Sequence, residues 1–509
     1  MIEQLTPPAV RRGAPAARPR RSVLLAALSA LALGAACAPP RPDQGAAAAA
    51  APAAPVTAAF RDDAFLDTLE RRTFDFFWET TDPRTGLAHD RYPTRSFSSV
   101  ASVGFALTAY PIGVERGWVT RQQARDRVLT TLRFFWNAPQ GEARSGVTGH
   151  KGFYYHFLDF ANGHRFAQVE LSTIDTALLL AGMLFCREYF DGADADEQEI
   201  RRLADSIYAR VDWRWALDGQ PTVSMGWRPD AAQHQDARGF ITSRWQGYNE
   251  AMLLYVLALG APTHSLEPAA WEAWTRTYKW DRFHGQEFVQ FAPLFGHQYS
   301  HVWIDFRGIR DAYMRGKGID YFENSRRATL SQRAYAIANP GGWRGYGERA
   351  WGLTASDGPL DSTLVIDGQR RTFHTYWARG AGTDEINDDG TVVPTAAGGS
   401  VAFAPEVVVP ALKAMRADYG DDLFGRYGFL DAFNPTLRTP GPKLQHGRIV
   451  AGKAWIDGDY LGIDQGPIVA MIENYRSDLV WRTMRKSPYV VRGLCRAGFT
   501  GGWLEGKCA

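Results

Sequence analysis

Carboxylates set among aromatic rings, guanidinium groups and amides are the residues of this chain that could do chemistry. Glu250 closes the string SRWQGYNE (243–250), just after Trp245 and Tyr248. Glu170 and Asp175 flank the start of an apolar run, VELSTIDTALLLAG (169–182). Cleaving a glycosidic bond needs one protonated carboxyl for the leaving oxygen and one ionised carboxylate to activate water or to attack. Glu250, Glu170 and Asp175 are therefore the candidate catalytic groups. Flat rings suit the C–H face of a sugar, and polar groups suit its hydroxyls. The candidate sugar contacts in the first half are Trp78, Arg91, Tyr155, His156, Arg244, Trp245 and Tyr248. In the second half they are Trp303, Trp351, Asp357, Trp377, Asp384, Glu385, Asp388 and Asp464.

Each acid also has a plainer reading. Ser172-x-x-Asp175 is a capping box, and Glu170 reads equally as a solvated loop acid. Asn249 could cap a helix, with Glu250 complementing its dipole; that would lower the Glu250 pKa. Apolar surroundings from Trp245 and Tyr248 would instead raise it into the range of a general acid, which is the expectation here. Asp464 precedes Gly466-Pro467 and reads as a helix start. Asp388 and Asp389 before Gly390 read as a turn, and Glu406 after Pro405 as another helix start.

Helical periodicity dominates the elements that must hold these groups. It predicts helices near 63–80, 98–116, 120–136, 172–190, 195–213, 248–260, 267–279, 319–338, 405–418 and 465–476. Some are apolar throughout (TALLLAGMLF, AMLLYVLALG) and others carry charge (QQARDRV, EQEIRRLADSIYARV). That alternation predicts an all-α fold, an (α/α)6 toroid of helical hairpins with long aromatic loops over one end. Short strand-like pieces occur at 151–158 and 363–366, and 60–509 reads as one domain.

Bulk composition narrows the partners. Net charge is +2, and Arg11, Arg12, Arg18, Arg20 and Arg21 of the N-terminal tail leave the remainder near neutral, with no basic stripe for nucleic acid. Residues 1–37 read as an export signal: Arg20-Arg21, an apolar stretch, then Cys37. Cys37 is a candidate lipid attachment point, ordinary cleavage being the alternative, and this is the one route to a membrane. The expected location is therefore the periplasm or, with the lipid, the outer membrane. Residues 38–59 are an Ala/Pro-rich tether. Cys186 sits in an apolar run, whereas Cys495 and Cys508 could close a C-terminal loop. No CxxC or HExxH pattern suggests a metal, and no cofactor is expected. Oligomeric state is open.

Four strings carry a family resemblance: VELSTIDTALLLAG (169–182), WGLTASDGP (351–359), DDGTVVPTAAGGSVAFAPE (388–406) and DYLGIDQGPIVAMIENYRS (459–477). Together with FDFFWETTDPRTGLAHDRYP (74–93), they resemble the glucoamylase-like domain family that contains the endo-β-1,2-glucanases of glycoside hydrolase family 144. The resemblance implies an (α/α)6 barrel outside the cytoplasm. It also implies hydrolysis of a glucan, β-1,2-glucan above all, by inversion and without metal. Exo-acting or transglycosylating variants, or a tethered glycan-binding protein, are the alternatives.

Overall fold

Helices start where the sequence offers a side-chain oxygen to the orphan amides of a first turn. Asp63, Ser99, Thr120, Ser172, Asp194 and Asp320 cap Ala64–Thr80, Val100–Glu115, Arg121–Asn137, Thr173–Tyr189, Ala195–Ala209 and Tyr321–Ala338. At Thr120 the box is reciprocal: the hydroxyl accepts the Gln123 amide at 3.1 Å, and Gln123 Oε1 accepts the Thr120 amide at 2.8 Å. The computed structural model describes residues 58–230 and 239–508. The expected export signal, Cys37 and the tether as far as residue 57 lie outside the described residues.

The apolar helices form the centre. Val100–Glu115 is buried from Val100 through Gly113, as a helix apolar on every side must be. It packs between Thr173–Tyr189 and Gly462–Ser477, and Thr173–Tyr189 packs in turn on Met252–Gly260. Glycines set the spacing. A Cβ at Gly182 would run into the Gly104 carbonyl, and one at Gly104 into the Leu178 carbonyl, so the two backbones touch. The charged helices lie outside them. Arg121–Asn137 packs on Ala195–Ala209, and Ala64–Thr80 covers Gly462–Ser477 and Val100–Glu115. Pro488–Arg496, absent from the predicted helices, covers Met252–Gly260. Its end is tied to the C-terminus by a Cys495–Cys508 disulfide, while Cys186 is buried and free. Among the described residues no helix is long and apolar enough to cross a membrane.

The chain is mostly helical, and the expectation of an all-α fold is corrected by many short strands. Gly149–His150, Phe153–Tyr155, Leu171–Ser172 and Gly226–Trp227 form an antiparallel sheet in that order. Arg91–Tyr92 pairs with Tyr460–Leu461. These strands are two or three residues long, too short to register as periodicity. Ser98–Ser99, Leu171–Ser172 and Tyr460–Leu461 each run directly into a central helix. They therefore tie the starts of those helices to the loops that carry the acids.

Candidate active site

Glu250 sits two residues before the helix Met252–Gly260 and is 8% exposed. Asn249 Oδ1 accepts the Ala251 amide at 3.0 Å, and the Glu250 carbonyl accepts the Ser300 hydroxyl at 2.9 Å. The backbone is thus fixed by others, and the carboxyl is left over. Its Oε2 is buried with no hydrogen-bond partner. Burial, with the nearby charge of Asp175, pushes this carboxyl up to about 8. The helix dipole does not win, and at neutral pH Glu250 carries a proton.

Glu170 and Asp175 form a different kind of group. Glu170 Oε1 is 2.8 Å from His156 Nδ1, and Arg228 stands 3.7 Å from Oε2. Asp175 accepts the Ser172 hydroxyl and lies 3.6 Å from His156 Nε2. Burial opposes a charge on His156, but Asp175 and then Glu170 outweigh it and hold the imidazole at about 9. Glu170 is buried too, yet the His156 bond and charge bring it down to about 2. An imidazolium clasped by two carboxylates results. The capping box is only half present: Ser172 accepts the Asp175 amide at 3.2 Å. The Asp175 carboxylate turns to the Ser172 hydroxyl and His156 instead.

A third group gathers at the Arg91 strand. Arg91 Nη1 donates to Asp357 Oδ2 at 2.6 Å, and its Nε lies 3.4 Å from Asp90. Asp357 is fully buried, and its amide donates to Asp431 Oδ2 at 2.8 Å. The Asp431 and Asp464 carboxyls face each other, and each keeps a buried oxygen without another partner. Asp464 is in the first turn of Gly462–Ser477 but does not cap it: the cap position is Leu461, and Pro467 lies inside the helix. Burial and the charges of Asp357 and Asp90 raise Asp464 to about 7, despite the opposing influence of Asp431. Burial and the charges of Asp464 and Asp357 push Asp431 well up. Oxygens of Asp357, Asp431 and Asp457 lie within 4.8 Å of one another, a set able to gather round a cation. Within the set Arg91 pairs with Asp357, while Asp431 and Asp457 each keep a buried oxygen without a partner.

Two tyrosines join the groups. Burial raises the Tyr299 phenol, and so do the charges of Asp464, Tyr376, Glu250 and Asp175, all within electrostatic reach of it. Tyr376, 40% exposed, is raised by its surroundings and by Asp464, Asp90, Asp431 and Asp357. Its loop is held from beneath by Arg379. That guanidinium is fully buried and makes two 2.8 Å bonds to Asp389. It also donates to the carbonyls of Ser356, His374 and Thr375. Trp377 packs on His374 in the same loop, with ring centroids 4.1 Å apart.

Glu250, Glu170, Asp175, His156, Arg91, Asp357 and Asp464 are thus gathered, with Trp377 on the adjoining loop. Other expected contacts go elsewhere. Arg244 spends its guanidinium on the carbonyls of Leu217 and Thr222. Trp78 stacks on Phe74 under Arg127, and Trp303 is fully buried, bonded to Thr108. Trp351 is also fully buried, and Tyr248 stacks on Tyr321 in the core. Tyr155 is fully buried beneath Arg165, and Trp245 is 7% exposed and braces the Thr173 hydroxyl. Asp384 pairs with Lys279 at the surface, and Glu385 accepts from Asn387. Asp388 is taken up by the hydroxyls of Tyr335 and Tyr346. Sequence reasoning missed Asp90, Asp431, Asp457, Tyr299, Tyr376 and Arg379. Of these, Tyr299 lies in the aromatic string FGHQYSHVWIDF (295–306), and Tyr376 and Arg379 lie in TFHTYWARGAGTDE (372–385).

Comparison with known proteins follows the same outline. A family model described as "Putative glucoamylase" matches residues 242–488. A crystal structure described as a putative glucoamylase from Bacteroides uniformis is 31% identical and has a TM-score of 0.72, with 87% of this chain and 98% of that one covered. An endo-β-1,2-glucanase from Chitinophaga pinensis, solved with sophorotriose and glucose, is 28% identical, with a TM-score of 0.72 and coverage of 87% and 99%. An exo β-1,2-glucooligosaccharide sophorohydrolase from Parabacteroides distasonis is 28% identical over 472 residues. That match takes in 86% of this chain but spans only 58% of the relative's length. The chain belongs to the glucoamylase-like domain family.

Proposed function

We propose that this protein is a glycoside hydrolase acting on β-linked glucan, β-1,2-glucan first, by an inverting acid–base mechanism. The observation that carries the reading is Glu250: a buried, protonated carboxyl with a free oxygen, which shares with Asp464 electrostatic reach of Tyr299. Glu250 gives its proton to the leaving glycosidic oxygen. Asp464 takes a proton from the water that attacks the anomeric carbon. Asp464 is the better base because its basicity is raised, whereas Glu170 is locked to His156. Asp175 is also occupied, by Ser172 and His156. Its charge reaches Glu250. Inversion requires room for a water between the acid and the base. His156 and Arg91 are charged donors for sugar hydroxyls, and Trp377 and Tyr376 are faces for the ring.

The helix packing supports an (α/α)6 toroid. Val100–Glu115, Thr173–Tyr189, Met252–Gly260, Tyr299–Trp303, Pro394–Gly398 and Gly462–Ser477 would be its inner helices, most of them in contact with the next. Endo cutting is favoured because the full length of an endo-acting relative is matched, whereas the exo-acting one is matched over little more than half. Export through residues 1–37, with a lipid on Cys37 or simple cleavage, fits a protein that carries a disulfide. The test is hydrolysis of linear β-1,2-glucan by wild type and by Glu250→Gln. The variant should lose about a hundredfold to ten-thousandfold in kcat while keeping its fold. An equally active variant would remove Glu250 as the acid.

A further inference from the structure

Asp431 lies between the short strands Gly428–Phe429 and Phe433–Asn434, and its place is fixed twice. Its amide donates to the Asp459 carbonyl at 3.0 Å, and its Oδ2 accepts the Asp357 amide at 2.8 Å. The other oxygen, Oδ1, is buried and has no further partner; the same is true of Asp464 Oδ2. These are the oxygens available for a hydrogen bond between the two side chains. Two buried carboxylates facing each other repel, and a single proton shared between them relieves that repulsion.

We propose that Asp431 is a positioning residue: pinned by the Asp357 amide, its carboxyl donates the shared proton to Asp464 and so aims the remaining Asp464 oxygen at the attacking water. The inference rests on the acid–base reading above. The atoms balance without a further reactant. Water oxygen bonds to the anomeric carbon as the glycosidic C–O bond breaks. One water proton goes to Asp464, the Glu250 proton goes to the leaving oxygen, and Asp431 keeps its own. Solvent exchange then returns both catalytic groups to their starting forms.

The groups around the pair leave the proton little choice. Asp357 and Asp90 face Asp464 from the strand side, Tyr299 from the start of the helix Tyr299–Trp303, and Tyr376 from its loop. Asp431 also faces Asp457 and the Arg379 guanidinium, and Arg91 stands beyond on Asp357. The cations are engaged with Asp389 and Asp357, so neither is free to neutralise the pair.

Two measurements on the full chain test this. Asp431→Asn keeps an acceptor for the Asp357 amide and a donor for Asp464; Asp431→Ala keeps neither. Infrared difference spectra of wild type against Asp431→Asn, without substrate, should show a protonated-carboxyl stretch at neutral pH that the variant lacks. In turnover of β-1,2-glucan, Asp431→Ala should lose about tenfold to a hundredfold in kcat. Its acidic limb should move up by about one pH unit, because the Asp464 carboxylate has lost a donor. Asp431→Asn should recover most of the rate and the wild-type limb. An active wild type without the infrared band overturns the shared proton. Asp431→Asn as slow as Asp431→Ala, or Asp431→Ala with the wild-type rate and profile, overturns the positioning role. A wild type that cleaves no glucan overturns the hydrolase reading and this role with it, whatever the infrared band shows.

Discussion

At the scale of single residues, opposite pKa shifts separate the acids into roles. Glu250 is pushed up by burial without a cationic partner, and Glu170 is pulled down by His156. Their contributions to stability have opposite signs. Glu250 has a raised folded pKa, so its contribution is complete below its unfolded pKa and is lost as pH rises through about 8. His156 is also raised, and its contribution is lost as pH rises through about 9. Glu170 is depressed, so its contribution is lost only as pH falls through about 2. The melting temperature should therefore decline from mildly acidic to alkaline pH, and Glu250→Gln should decline less. Thermal unfolding of both across that range checks this; parallel curves would contradict a buried, protonated Glu250. The burial of Glu250 was legible because Trp245 and Tyr248 stand just before it in sequence. Asp431 was not legible: FLDAFNP looks like any acid in an apolar loop, and its partners come from residues far along the chain.

At the scale of elements, the site depends on how closely the central helices approach and on how the Tyr376 loop is held. Gly182→Val would place a side chain against the Gly104 carbonyl, in a backbone contact that cannot yield. It should cost at least about 1–3 kcal/mol in urea unfolding. Arg379→Ala would leave Asp389 buried without its cation, at about 3–5 kcal/mol. Because that guanidinium also holds the His374 and Thr375 carbonyls, Arg379→Ala should raise KM where the protein still folds. Helix positions were legible because the outer helices have a periodic apolar pattern, the central ones are continuously apolar, and most of the long ones begin at a capping side chain. The two-residue strands were not, since their pairing partners are fixed only by the packed helices. The same limit applies to the tryptophans. Composition reveals that aromatic rings are abundant, but Trp303 and Trp351 face the core because of helix packing that no local string encodes.

At the scale of the whole molecule, three parts of the chain meet in one group of carboxylates. Residues 90–91 and 156–175 contribute from the first half, Glu250 and Tyr299 from the middle, and 357–464 from the rest. The Cys495–Cys508 disulfide lies outside this group and ties the C-terminal end to the helix that covers Met252–Gly260. Its reduction should cost about 3 kcal/mol of stability and leave kcat unchanged at temperatures where the protein stays folded. The central claim is that a buried, protonated Glu250 drives glucan cleavage. The most direct measurement is release and size of reducing-end products from linear β-1,2-glucan, beside β-1,3-, β-1,4- and α-1,4-glucans, by wild type and Glu250→Gln. The account predicts short oligosaccharides from β-1,2-glucan with wild type and almost none with the variant. Equal release by both proteins, or no release from any glucan by wild type, would contradict it.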